Sequence, residues 1–169
     1  MTYSNTAFIL LGGNINPRFT YLKKAESKIS TVVGHIISKS NIYETEAWGF
    51  ESEDNFLNEV LLVETNLSAN SLLKELLEIE KSLGRKRNEG EAYSSRTLDA
   101  DILYYNNDII DEEDLSIPHP RLHLRKFVLE PLCEIAANYV HPKLKMSNKV
   151  LLKNCDDKSR VIKMNNDEL

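Results

Sequence analysis

RTLDADIL, Arg96 to Leu103, is the stretch on which the fold turns. Leu98, Ala100 and Ile102 alternate with Asp99 and Asp101, and a period of two marks a strand with one packed face and one polar face. Residues two apart in a strand share a face, so the two aspartates project together, their Cβ atoms ~7 Å apart. The run continues to Tyr105. Asn106-Asn107 then makes a turn, and Ile109-Ile110 is a short return strand.

Upstream, Ala7 to Leu11 is a buried strand that ends in a turn at Gly12-Gly13. Asn16-Pro17 starts a helix with proline at its first position, and Leu22, Ala25, Ile29 and Val32 recur at helical spacing up to Gly34. His35–Thr45 and Asn55–Thr65 are strands rich in isoleucine, valine, leucine and tyrosine. Ser68 caps a second helix whose stripe of Leu72, Leu73, Leu76, Leu77, Ile79 and Leu83 stops at Gly84. Val128–Ala137 and Asn148–Lys153 are short helices. Strand, helix, strand, strand, helix, strand predicts an α+β, ferredoxin-like fold, an antiparallel sheet covered by helices in a three-layer αβα stack. No linker or repeat divides the 169 residues, so residues 1–169 read as a single domain with its core in about 6–155. The polar tail, 156–169, is expected to fray.

Composition narrows the function. The chain is 41% apolar and 28% charged, as a globular domain requires. Two cysteines, Cys133 and Cys155, give neither a four-thiolate zinc site nor a disulfide framework, so the reading is a protein of a reducing compartment. There is no leader-like N-terminus and no apolar run near the ~20 residues that cross a bilayer, which points to the cytoplasm. A net charge of −5 argues against a protein that neutralises nucleic-acid phosphates. Yet five of the seven arginines, Arg85, Arg87, Arg96, Arg121 and Arg125, fall in one quarter of the chain. Guanidiniums concentrated in an acidic protein suit a small polyanion.

Asp99 and Asp101 at that separation can share a pair of Mg²⁺ ions, the hard cations that accompany phosphates, while nearby Glu80, Arg85, Arg87 and Arg96 supply further charge of both signs. In IPHPR, Ile117 to Arg121, two prolines hold His119 in extended backbone, which suits a donor aimed at a phosphate. Phe56 and Asn58 face the same way on their strand, so a ring platform and an amide able to read a heterocycle edge are neighbours, with Phe127 a third candidate. No phosphate loop, protein-kinase set or dinucleotide fingerprint is present.

LGGN (Leu11 to Asn14), FLNEV (Phe56 to Val60), EIEKSLGRKR (Glu78 to Arg87), RTLDADIL, IPHPR and FVLEPL (Phe127 to Leu132) together resemble, in order and spacing, the 6-hydroxymethyl-7,8-dihydropterin pyrophosphokinases of folate biosynthesis. The resemblance runs from about residue 6 to 155. It implies transfer of the terminal pyrophosphoryl group of ATP to the pterin hydroxymethyl, with AMP leaving. It further implies that Asp99 and Asp101 hold two Mg²⁺ ions, and that Arg85, Arg87, Arg96, His119 and Arg125 bind phosphates, the first two from a loop that closes over the site. Phe56 and Phe127 would sandwich the pterin, with Asn58 on its edge and Thr45 and Trp48 giving backbone contacts. Glu80 and Ile102 would lie near the nucleotide. The chain departs from the family pattern at Tyr93, where tryptophan is frequent, at Glu46-Ala47, at Asp114 and at Pro120.

Two other readings of the same residues are a polymerase-beta-like nucleotidyltransferase and a ferredoxin-like RNA-binding module that stacks bases on Phe56 and Phe127. In the first, a glycine turn and D-x-D lie close in sequence, whereas Gly13 and Asp99 are 86 positions apart. The second lacks basic charge. The expected partners are therefore ATP and a reduced hydroxymethyl pterin, with no nucleic acid and no membrane, acting on a monomer.

Overall fold

The computed structural model describes residues 2–46, 54–86, 96–165 and 169. The elements run β1 (Asn5–Gly13), α1 (Arg18–Val32), β2 (Gly34–Lys39), β3 (Tyr43–Thr45), β4 (Phe56–Thr65), α2 (Ala69–Ser82), β5 (Asp99–Tyr105), β6 (Ile110–Asp111), β7 (Ser116–Ile117), α3 (Lys126–Ala136), α4 (Asn148–Lys153) and β8 (Val161–Lys163). The main sheet is ordered β5-β1-β4-β3-β8, with β2 beside β3 on the same edge of β4. Its pairings are antiparallel. This is the ferredoxin-like α+β arrangement, with β1 and β4 at its centre.

The two faces differ. On one, Leu22, Ala25 and Ile29 of α1 and Leu72, Leu76 and Ile79 of α2 pack against Ile9, Leu11, Leu61, Val63, Ala100 and Ile102. On the other, Val128 and Leu132 of α3 and Leu122 cover Phe8, Leu10, Val60 and Leu103. Each valine, leucine, isoleucine or phenylalanine among them contributes about 1.5–3 kcal/mol when fully buried. The second core stops at Leu10 and Val60. Beyond them the strand residues two positions on are Gly12 and Asn58, with Asp99 paired to Gly12 and Asp101 to Leu10. The polar end of the sheet begins where the cover of α3 ends.

Several elements depart from the sequence reading. Gly12 and Gly13 do not turn the chain; they are the last residues of β1. A Cβ on Gly13 would lie 2.4 Å from the Thr97 carbonyl oxygen, so the reason for glycine is close approach of two backbones. Pro17 caps α1 from an extended conformation and lies outside it. His35–Thr45 is two strands: at Ser40 the backbone N–H donates to Val60 O at 2.9 Å and the hydroxyl accepts from Val60 N at 3.0 Å, which ends the regular ladder. Ile110 pairs with β7 in a separate two-stranded sheet. Within the tail expected to fray, Val161–Lys163 is a strand, β8, which extends the main sheet along β3. Ser68 does cap α2, accepting from Ser71 N at 3.2 Å, and Gly84 stops that helix at φ +86°, a left-handed conformation that glycine adopts without strain.

Candidate active site

β5 supplies the acidic centre. Asp99 and Asp101 are partly exposed on the α3 side, whereas Ala100 and Ile102 are buried on the opposite face. Arg85, just past the end of α2, donates to Asp99 Oδ1, and Arg96 Nη1 donates to Asp99 Oδ2 at 2.9 Å. Arg85 is also paired with Glu80 at 2.8 Å. Glu80 itself is buried and accepts from Ala100 N at 2.9 Å. It therefore ties Arg85 to the edge of β5, and its place is under the guanidinium. Asp101 sits deeper. Burial, then the neighbouring charges of Asp99 and Glu80, push its carboxyl up to about 7.

Arg96 is fixed by a residue the sequence reading passed over. Asn14 Oδ1 accepts from Arg96 N at 2.8 Å, and Asn14 N donates to Arg96 O at 3.0 Å. The available signal was an amide directly after a glycine pair that carries the chain into the core. His119 is held against β5, within electrostatic reach of Asp99. Its backbone N–H donates to Leu103 O at 2.9 Å, and its Nδ1 accepts from Arg121 N at 3.1 Å. That bond leaves Nε2 as the protonated nitrogen of the neutral ring. Burial, followed by Arg125, lowers the His119 pKa to about 4, so the neutral donor form is the resting one.

Asn58, Thr45 and Phe56 lie along the row from the acids towards β3. Asn58 is buried, and its Nδ2 donates to Thr45 Oγ1 at 3.3 Å. Thr45 pairs with Phe56, and Asn58 with Gly12. The Arg96 guanidinium carbon is 5.2 Å from the Phe56 ring centroid, and that of Arg125 is 5.6 Å from the Phe127 ring. Both rings lie on the α3 side of the sheet or at its margin, each beside an arginine. Ile102 is on the opposite face, in the core beneath α2. Trp48, Arg87 and Tyr93 lie outside the described residues. A separate cavity of about 430 Å³, lined by Phe19 and Lys23 of α1, by Lys39 and the connection that follows it, and by Glu59 of β4, contains none of these groups.

Guanidiniums gathered around a carboxylate pair, beside flat rings and a buried amide, suit a small enzyme that handles a phosphorylated nucleotide, and the class is that of a kinase on a ferredoxin-like sheet. The chain belongs to the 7,8-dihydro-6-hydroxymethylpterin-pyrophosphokinase family, whose profile matches residues 8–137. It is 40% identical over 137 residues to the 2-amino-4-hydroxy-6-hydroxymethyldihydropteridine pyrophosphokinase of Aquifex aeolicus, covering 81% of this chain and 84% of that one. With the enzyme of the same description from Haemophilus influenzae it shares 38% identity over 161 residues, 95% of this chain and 98% of the other. The Plasmodium falciparum HPPK-DHPS wild-type crystal structure with SDX-DHP superposes at a TM-score of 0.72 with 18% identity over 89% of this chain, a likeness of fold. This chain spans 43% of that longer one. Family membership answers the nucleotidyltransferase and RNA-module readings.

Proposed function

We propose that the chain transfers the terminal pyrophosphoryl group of ATP to the hydroxymethyl oxygen of 6-hydroxymethyl-7,8-dihydropterin, releasing AMP, as the folate-pathway enzyme of its family. The hydroxymethyl oxygen bonds to the β-phosphorus, the bond from that phosphorus to the α,β-bridging oxygen breaks, and the hydroxyl proton is lost to solvent or phosphate. Such transfers gain most from alignment and charge compensation, and no dedicated general base is assigned. Arg85, Arg96, His119 and Arg125 take phosphate oxygens, with Arg87 joining from the segment beyond Lys86. His119 presents its Nε2 proton without needing to titrate. Phe56 and Phe127 hold the flat ring, and Asn58 meets its edge while Thr45 fixes the amide.

Asp99 and Asp101 fit a magnesium site. Mg²⁺ is usually bound through one or two carboxylates together with substrate phosphates, and the half-buried, mutually repelling acids offer a hard oxygen donor set. Burial first, then the neighbouring charges of Asp99 and Glu80, raise the Asp101 carboxyl, and a divalent cation there would offset both effects. Two Mg²⁺ ions bound there would supply charge neutralisation along the triphosphate. We read the protein as a monomeric single domain of the cytoplasm; among the described residues no helix is long and apolar enough to cross a membrane.

The carrying observation is the pairing of Asp99 with Gly12 and of Gly12 with Asn58, which sets the acids and the ring-reading amide in one row. The test is chromatographic. ATP with the hydroxymethyl pterin and Mg²⁺ yields AMP and the pterin diphosphate only when both substrates are present; ADP as the nucleotide product, or AMP formed without pterin, overturns the assignment.

A further inference from the structure

The α3 helix begins without a cap of its own. Its N-cap residue is Arg125, which has no acceptor in its side chain and makes no capping bond. The missing acceptor comes from the C-terminal segment: Asp157 Oδ2 accepts from Lys126 N at 2.9 Å, and its other oxygen accepts from Ser159 N at 2.9 Å. A carboxylate there also matches the positive end of the helix. A few residues on, β8 pairs with β3, setting Val161 against Thr45 and Lys163 against Tyr43, and Met164 N donates to Ile42 O at 2.8 Å. A third tie joins the same elements. Glu134 of α3 accepts from the Tyr43 hydroxyl, accepts from Asn41 N at 2.9 Å, and pairs with Lys163 Nζ at 3.4 Å.

One segment thus bonds to the two walls between which the proposed pterin site lies. Lys126 adjoins Phe127, and Thr45 holds Asn58. β3 is only three residues long and needs its second neighbour to be held on both edges. The segment lies beyond residues 8–137, the part matched by the family profile. We infer that residues 157–164 form a positioning strap that fixes the separation of Phe127 from the Thr45–Asn58–Phe56 wall and thereby sets affinity for the pterin, separately from ATP binding and from the transfer step. This rests on the pterin site proposed above. Asp157 and Glu134 are positioning residues, acting through the start of α3 and through β3.

The experiment uses the full chain and equilibrium binding of the hydroxymethyl pterin with a non-hydrolysable ATP analogue present, together with steady-state kinetics. Asp157→Ala frees the start of α3 and with it Phe127, and raises the pterin Kd and KM by roughly fivefold, ~1 kcal/mol of binding free energy. Its kcat and its KM for ATP stay within about twofold of wild type. Asp157→Asn, which keeps an acceptor, restores most of the affinity. A pterin Kd unchanged in Asp157→Ala overturns the strap. So does a parallel fall in kcat and in affinity for both substrates with no rescue by asparagine, the signature of general destabilisation. Phe127→Ala separates the readings: if it leaves pterin binding intact the site assignment itself is wrong, whereas a large loss there beside a silent Asp157→Ala condemns only the strap.

Discussion

Replacing Gly12 with alanine tests the site with a single methyl group. The new Cβ would lie 2.6 Å from Asn58 Oδ1, against the 3.4 Å at which ordinary contact begins, so the amide must retreat by about 0.8 Å. The atom in the way is the end of a side chain, with the nearest backbone atom, Leu57 O, at a tolerable 3.5 Å. The strand can therefore keep its course while Asn58 turns. Turning breaks the 3.3 Å bond to Thr45 Oγ1 in a buried setting, at a cost of about 1 kcal/mol for the bond and up to ~3 kcal/mol if an amide group loses its partner. The displaced amide also loses its bond to the pterin edge, worth ~1–3 kcal/mol when a buried group is left unpaired, and since ~1.4 kcal/mol is tenfold in affinity the pterin KM of Gly12→Ala rises roughly 10- to 100-fold with the ATP KM little changed. The neighbouring glycine is the control. A Cβ on Gly13 meets Thr97 O at 2.4 Å and Thr97 C at 3.0 Å, both backbone atoms, so Gly13→Ala loses thermal stability first. Kinetics with pterin varied at saturating ATP, alongside thermal melts of both variants, decide the matter. A folded Gly12→Ala enzyme with the wild-type pterin KM refutes the placement of Asn58, and a Gly13→Ala protein that melts no lower than Gly12→Ala refutes the steric argument.

Asp99→Ala and Asp101→Ala should each abolish AMP formation while the cooperative melt persists, and chelation of Mg²⁺ should silence the wild type in the same assay. Arg85→Ala strands the buried Glu80 without its cation, at about 3 kcal/mol. Its melting temperature should drop by several degrees, and combining it with Glu80→Gln should recover stability without recovering turnover. Glu59 behaves differently: burial, then Glu26, raises its carboxyl to about 8, and its Oε2 has no hydrogen-bond partner. A raised carboxyl favours the fold below its unfolded value near 4.5 and loses that contribution as pH climbs to about 8. Denaturant titrations should show Glu59→Gln gaining stability on the wild type across that window, with a constant difference above it; a difference independent of pH would sink the reasoning.

What was legible in the sequence is what local periodicity controls. The apolar stripe from Leu72 to Leu83, the Ser68 cap and the alternation around Asp99 each depend on residues within a turn or a few positions of one another, and each is found as read. What was not legible depends on partners far along the chain. Gly12 and Gly13 look like a turn to a local reading, yet their small size is demanded by Asn58 and Thr97 on neighbouring segments. The tail looks unstructured because Val161 and Ile162, though β-branched, make too short a run within a polar segment to mark a strand by themselves. They become a strand only against the free edge of β3. Asn14 and Asp157 follow the same rule: a polar side chain whose partner is a backbone N–H distant in sequence gives no periodic trace.

The strand that carries the acids also depends on an irregularity. Strict alternation along β5 would set Asp99, Asp101, Leu103 and Tyr105 on one face, but Tyr105 belongs to the core beneath α1 and α2, and Tyr104 to the core beneath α3. The change of face occurs where the register with β1 shifts: Phe8 pairs with Tyr104 and Ile9 with Ile102, leaving Leu103 as the extra residue. Leu103 still offers its carbonyl, and His119 N takes it. The bulge thus does two things at once. It lets Tyr104 fill the α3 core while Asp101, three residues earlier, keeps to the same side at the open end, and it gives the proline-flanked segment a docking point that brings His119 towards the acids. A regular β5 would have to surrender either the tyrosine or the aspartates to the wrong face. Because strands lie about 4.8 Å apart, the row Asp99–Gly12–Asn58 then spans about 10 Å of backbone from the proposed phosphate end to the proposed ring end. At its middle stands the one residue of the row without a side chain, over which the hydroxymethyl group meets the triphosphate in the reaction proposed above.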